Sequence, residues 1–72
     1  MKLIELSEKA RLSREDAADR LRELADMLSR HNEVSFEQGG KTVTVAVPDE
    51  VELEVELEIE SDENSLEVEI SW

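Results

Sequence analysis

Between Val51 and Glu60 an apolar residue and a glutamate alternate without a break, Val-Glu-Leu-Glu-Val-Glu-Leu-Glu-Ile-Glu. Successive side chains of a strand point to opposite faces, so a period of two over this length specifies a strand with one dry face and one wet face. Val51, Leu53, Val55, Leu57 and Ile59 then share one side, and Glu52, Glu54, Glu56, Glu58 and Glu60 the other. The rest of the chain must supply strands with matching rows and something that covers the apolar one.

Matching rows are present on both sides. Upstream, Val34-Ser35-Phe36-Glu37-Gln38 and Lys41-Thr42-Val43-Thr44-Val45-Ala46-Val47 flank Gly39-Gly40. Two glycines between alternating runs predict a type I′ hairpin, because both central residues need positive φ. That turn sets Phe36 against Val43 and Val34 against Val45, apolar against apolar. Pro48-Asp49-Glu50 predicts a second turn, proline fixing φ where no donor is required. Pairing Val47 with Val51 across it sets Val45 opposite Leu53 and Val43 opposite Val55, with Thr44 beside Glu54 and Thr42 beside Glu56 on the wet side.

Downstream, Ser61-Asp62-Glu63-Asn64 predicts a third turn. Closing it with Glu60 opposite Ser65 pairs Ile59 with Leu66, Leu57 with Val68, Val55 with Ile70 and Leu53 with Trp72. It also places Glu67 beside Glu58 and Glu69 beside Glu56, pairs that repel unless screened or matched by cations. The expected sheet is a four-stranded antiparallel meander over about 33–38, 41–47, 50–60 and 65–72.

A helix over 14–31 is expected to cover its dry face. Ser13 is a favourable N-cap, and Glu15 and Asp16 lie at the positive end of the helix dipole, with Asp16 giving a variant of the capping box. Ala17, Leu21, Leu24, Ala25 and Leu28 recur at helical spacing as one stripe. Asp16 with Arg20 and Asp26 with Arg30 stand four apart with the acid first, the better orientation for such pairs. Arg30 and His31 sit near the negative end, and Asn32 suits a left-handed cap. Residues 2–10 alternate in part, Ile4-Glu5-Leu6-Ser7, and are read as a possible fifth strand whose Lys2 and Lys9 would neutralise part of the glutamate rows. The fold class is α+β, one domain spanning 1–72.

Composition excludes several functions. The chain of 72 residues has no cysteine, so neither disulfides nor thiolate metal sites are available, and stability must come from packing. No segment approaches the ~20 apolar residues of a membrane span, and Met1 to Glu5 carry no signal-peptide pattern, so a soluble cytoplasmic location is expected. The net charge is -12. Residues 1–31 hold seven acids and seven bases, whereas residues 32–72 hold thirteen acids and only Lys41. Such a field disfavours nucleic acid and anionic lipid as partners.

The same balance suits molar salt. Neighbouring glutamates on one strand face are ~6.8 Å apart and repel by ~0.6 kcal/mol at the dielectric constant of water. At ~1 M salt the Debye length is ~3 Å and most of that repulsion disappears.

The segments Leu12-Ser13-Arg14-Glu15-Asp16-Ala17-Ala18, Leu21-Arg22-Glu23-Leu24-Ala25-Asp26, Val47-Pro48-Asp49, Val51 to Glu60 and Leu66-Glu67-Val68-Glu69-Ile70-Ser71-Trp72 together resemble the amphi-Trp domain family. The likeness covers nearly the whole chain. It implies a small stand-alone domain, common in halophilic archaea and also seen in bacteria, whose biochemical role is unassigned, and it favours a strand just before the helix. Asn32 departs from the glycine usual at the helix exit, although asparagine adopts the same conformation. The resemblance implies no catalytic residues.

The candidate functional residues are Glu52, Glu54, Glu56, Glu58, Glu67, Glu69 and Trp72. The carboxylates are read first as a solvated, salt-adapted face holding monovalent cations loosely; parallel side chains on a flat strand do not converge as calcium ligands must. Glu60, Asp62, Glu63 and Asn64 lack the glycine and terminal glutamate of an EF-hand and are read as a turn. His31 alone, without cysteine or a second histidine, makes no metal site and is read as a helix-end residue. Trp72 is expected inside, opposite Leu53, with an interface anchor as its alternative role; Phe36 is read as core. The expected function is a non-enzymatic protein–protein interaction module without cofactor, binding itself through a sheet edge or a protein partner through the sheet face. An acidic decoy that binds basic proteins in place of nucleic acid ranks second. A small hydrolase using Glu56 and Glu69, or a metal enzyme, ranks last, since nothing on an open sheet separates the affinities of two carboxylates for protons.

Overall fold

Ser13 begins the ordered structure as its sequence position requires. Its backbone is extended, its hydroxyl oxygen accepts the Asp16 N–H at 3.1 Å, and its carbonyl accepts the first helical N–H, from Ala17. In the computed structural model, which describes residues 1–72, helix α1 (Arg14–His31) follows, then four strands: β1 (Glu33–Gln38), β2 (Lys41–Ala46), β3 (Glu52–Ile59) and β4 (Asn64–Ser71). Asn32 ends the helix in the left-handed conformation, φ 54 and ψ 30, and its carbonyl accepts the Val47 N–H at 2.9 Å. That bond ties the helix exit to the far end of β2.

The first hairpin forms as read from the glycines. Gly39 and Gly40 both have positive φ, 61 and 78, and β1 pairs with β2 through Phe36 with Val43 and Val34 with Val45. Ser35 and Thr44 share a hydroxyl hydrogen bond of 2.9 Å on the other face. The helix packs on β1, and most of the half-buried apolar side chains, Met27, Leu28, Val34, Phe36 and Val43 among them, belong to this half of the molecule, whereas the β3-β4 hairpin has only Ile70.

The second hairpin departs from expectation in its register. Glu60 donates its N–H to the Glu63 carbonyl at 3.0 Å, so the turn closes on Ser61-Asp62 alone. The shorter turn advances β4 by two residues: Leu53 faces Ile70, Val55 faces Val68, Leu57 faces Leu66 and Glu52 faces Ser71. A shift of two preserves the side-chain period, so the aliphatic and carboxylate rows keep their faces.

Three larger expectations are corrected. The strands form two separate two-stranded sheets, β1-β2 and β3-β4, with no ladder between β2 and β3. The five residues Val47 to Val51 run as an irregular connection with a bend at Asp49, and Pro48 supplies no N–H to a ladder. The helix therefore covers β1 only, and the β3-β4 hairpin packs on no other element. Residues 2–10 form no strand. Their segment lies across the helix and β1, held by an Arg20–Glu8 ion pair and by Gln38 Nε2 donating to the Ser7 carbonyl at 3.0 Å.

The consequence is an open molecule. None of its 72 residues is buried, and it exposes 6959 Å², where a folded chain of this mass exposes about 4,500 Å². Its radius of gyration is 14.1 Å, where about 11 Å is usual for this length.

The left-handed positions test the first half directly. Gly40→Val should destabilise the β1-β2 hairpin by about 1–2 kcal/mol, the usual excess for a side chain in that conformation, whereas Asn32→Gly should leave thermal unfolding almost unchanged. Equal losses from both, followed by circular dichroism, would contradict the turn geometry.

Candidate functional site

Strand pairing assembles the candidate residues into two opposed rows. Residues directly opposite in an antiparallel pair share a face. Leu53 with Ile70, Val55 with Val68 and Leu57 with Leu66 therefore make one continuous aliphatic surface, and Glu54 with Glu69 and Glu56 with Glu67 make a carboxylate surface behind it. The hairpin builds both without help from the helix, because eight-residue strands of period two need only each other to sort their side chains.

The carboxylates lie where they were expected, although the partners differ. Glu56 faces Glu67 in place of Glu69, and Glu54 faces Glu69, while Glu58 is opposite Ser65 and Glu52 opposite Ser71. None of these six glutamates enters an ion pair; all four ion pairs in the structure involve residues 2–22. Lys2 pairs with Glu5 at 2.6 Å and does not reach the hairpin. On the helix the expected pairs of spacing four are replaced by Arg22 with Asp19 at 2.7 Å and by Arg20 with Glu8. The Glu8 hydrogen bond raises the Arg20 pKa above its ordinary value. No three His, Cys, Asp or Glu side chains come together at metal-binding spacing.

Trp72 is displaced from its expected place. The two-residue advance of β4 carries it beyond the last pair, Glu52 with Ser71, so it lies at the open end of the hairpin beside Glu50 and Val51 and is 56% exposed. It does not cover Leu53. The reading of Trp72 as core depended on a four-residue turn, and the Glu60–Glu63 hydrogen bond removes that premise.

The aliphatic row itself was missed as a site. It was assigned to a core, yet Leu57 is 67% and Ile59 74% exposed, and Leu53, Val55, Leu66 and Val68 are exposed with them. A row of this extent is unusual on a monomer. Its signal was present in the sequence, since the chain offers one amphipathic helix for four strands. A second apolar feature lies in the other half: a groove of about 550 Å³ between the helix and β1, lined by Leu12, Ala17, Leu21, Leu24, Met27 and Phe36.

One helix followed by two antiparallel hairpins places the protein in the α+β class, with an unusually bare amphipathic hairpin as its distinguishing surface. The family model of the Amphi-Trp domain matches residues 1–72, and the chain belongs to that family. No curated protein and no solved structure matches it. No helix is long and apolar enough to cross a membrane.

The opposed glutamates give this surface a measurable salt dependence. Replacing Glu67 with lysine turns the Glu56–Glu67 contact from repulsive to attractive, a change of about 0.2–1 kcal/mol for a directly opposed pair. Glu67→Lys should therefore melt higher than wild type in dilute buffer, with the difference shrinking toward 1 M KCl as screening shortens. An equal melting temperature at low salt would show that the two carboxylates do not face each other.

Proposed function

We propose that this protein is a non-enzymatic protein–protein interaction module whose contact surface is the aliphatic row of the β3-β4 hairpin. The observation that carries the reading is the exposure of Leu53, Val55, Leu57, Ile59, Leu66 and Val68 together on one face of a two-stranded sheet. Burying such a row contributes about 25 cal/mol per Å² of apolar area removed from water. The row is flat and regular, which suits a structured partner surface, and Trp72 at its open end supplies a large side chain of the kind that anchors interfaces. The carboxylate row behind it faces away from such a contact; it keeps the module soluble and suits a cell interior of high salt, where monovalent cations collect loosely along it.

A second reading is supported by the glutamates themselves. Six of them line one hairpin face without a single cationic neighbour, an arrangement that would attract a strongly basic protein in place of nucleic acid. A hydrolase is the least favoured, because Glu56, Glu67 and Glu69 stand on an open face with nothing placed to desolvate one of them.

Capture of bound proteins from cells in their native salt separates the first two readings. Under the interaction reading, Leu57→Asp and Val68→Asp each abolish capture while the triple variant Glu54→Gln, Glu56→Gln, Glu69→Gln leaves it intact. The decoy reading requires the reverse pattern together with a captured set rich in basic proteins. Capture unaffected by either class of substitution would dismiss both surfaces.

A further inference from the structure

We propose that the occupant of the aliphatic row is a second copy of this chain, in a dimer that exchanges β3-β4 hairpins. The proposal rests on the reading of that row as a contact surface and names its partner. In the exchanged dimer, β3 of one copy adds to the free edge of β2 in the other. Its aliphatic row continues the Val34/Phe36 and Val43/Val45 row and lies under the helix of that other copy.

Three observations converge on this occupant. The first is pairing. Val47 to Val51 permits a register in which Val45 faces Leu53, Val43 faces Val55, Thr44 faces Glu54 and Thr42 faces Glu56, apolar with apolar and neutral hydroxyl with carboxylate. The chain does not use this register within itself: β2 and β3 each keep one unpaired edge, and Pro48 lies in the connection between them. A strand edge whose matching partner exists in the same sequence is satisfied equally by a second copy, and exchange of an element across a hinge is a low-cost route to a dimer.

The second observation is charge. Residues 50–72 contain ten acids and no base, whereas residues 1–49 contain ten acids and all eight bases. Stacking two β3-β4 hairpins on each other would bring both purely acidic halves together. Seating each hairpin on the other copy's N-terminal half places it against a half whose eight bases nearly balance its ten acids, with Leu21 and Leu24 still exposed along the groove beside Phe36. The smaller like-charge repulsion selects this docking mode over the stacking of two hairpins.

The third is area. The chain exposes about 2,400 Å² more than a folded chain of its mass. Covering that excess in two copies buries about 4,900 Å², within the range of obligate dimers.

The test uses the full chain in 1 M KCl. Sedimentation of the wild type should give twice the chain mass of 8.2 kDa. Because the chain has no cysteine, two single variants, Thr42→Cys and Glu56→Cys, can then be mixed, refolded together and oxidised; circular dichroism of each checks that it folds. Exchange predicts a disulfide between the two different chains, seen as a two-chain band on a non-reducing denaturing gel. A dimer mass without that band overturns the exchange while leaving the row as an interaction surface. A monomer mass, with the double variant Thr42→Cys, Glu56→Cys closing a disulfide inside one chain, overturns both, since the row is then covered by its own helix. A monomer mass with no disulfide in either experiment overturns the exchange and leaves the row open to a different protein.

Discussion

The ladder between β3 and β4 is the interaction on which the rest of the molecule depends. It aligns two strands of strict alternation so that Leu53, Val55 and Leu57 meet Ile70, Val68 and Leu66, Ile59 comes opposite Asn64, and the carboxylates are driven to the opposite side. Backbone hydrogen bonding thereby creates two surfaces of opposite character from a single hairpin. One is repelled by water and the other repels itself, and neither is balanced by anything else in the chain.

The N-terminal half meets a different set of requirements. Its helix is capped at both ends, its hairpin turns on two glycines, and short polar links, Ser35 to Thr44, Gln38 to Ser7 and Arg20 to Glu8, hold its segments together. Its apolar contacts are incomplete because one helix over two strands encloses too little volume, which leaves the groove beside Phe36. An isolated two-stranded hairpin is at best marginally stable in water, and three or more strands with a covered face are the usual minimum. Each half therefore has what the other requires: the helix with its groove lacks sheet, and the β3-β4 hairpin lacks cover. The Amphi-Trp chain thus displays an apolar surface while its net charge of -12 is concentrated on one half.

Local chemistry made most of the elements legible before any coordinates. Ser13, Asn32 and the pair Gly39-Gly40 announce their own conformations because capping and positive φ are properties of a few consecutive residues, and the helix and the first hairpin follow from them. The alternation from Val51 to Glu60 likewise makes its strand and its two faces readable, since a period of two survives any even slip. The turn at Ser61-Asp62 was not readable in the same way. It contains no glycine or proline to specify a turn type, and two closures of equal parity were compatible with it. That ambiguity of two residues moved Trp72 from an inward place opposite Leu53 to an exposed one beyond the last pair of the hairpin.

The sequence by itself determined the helix and the four strands that follow it, and that aliphatic and acidic side chains lie on opposite faces, because these depend on neighbours within a few positions. Only the tertiary structure decided that β2 and β3 do not pair within the chain, that the N-terminal segment is not a strand, and that the aliphatic row stands uncovered. The first and last of those outcomes depend on how the five residues around Pro48 orient two halves, a choice between alternatives that bury the same row against different surfaces and that the alternation pattern satisfies equally.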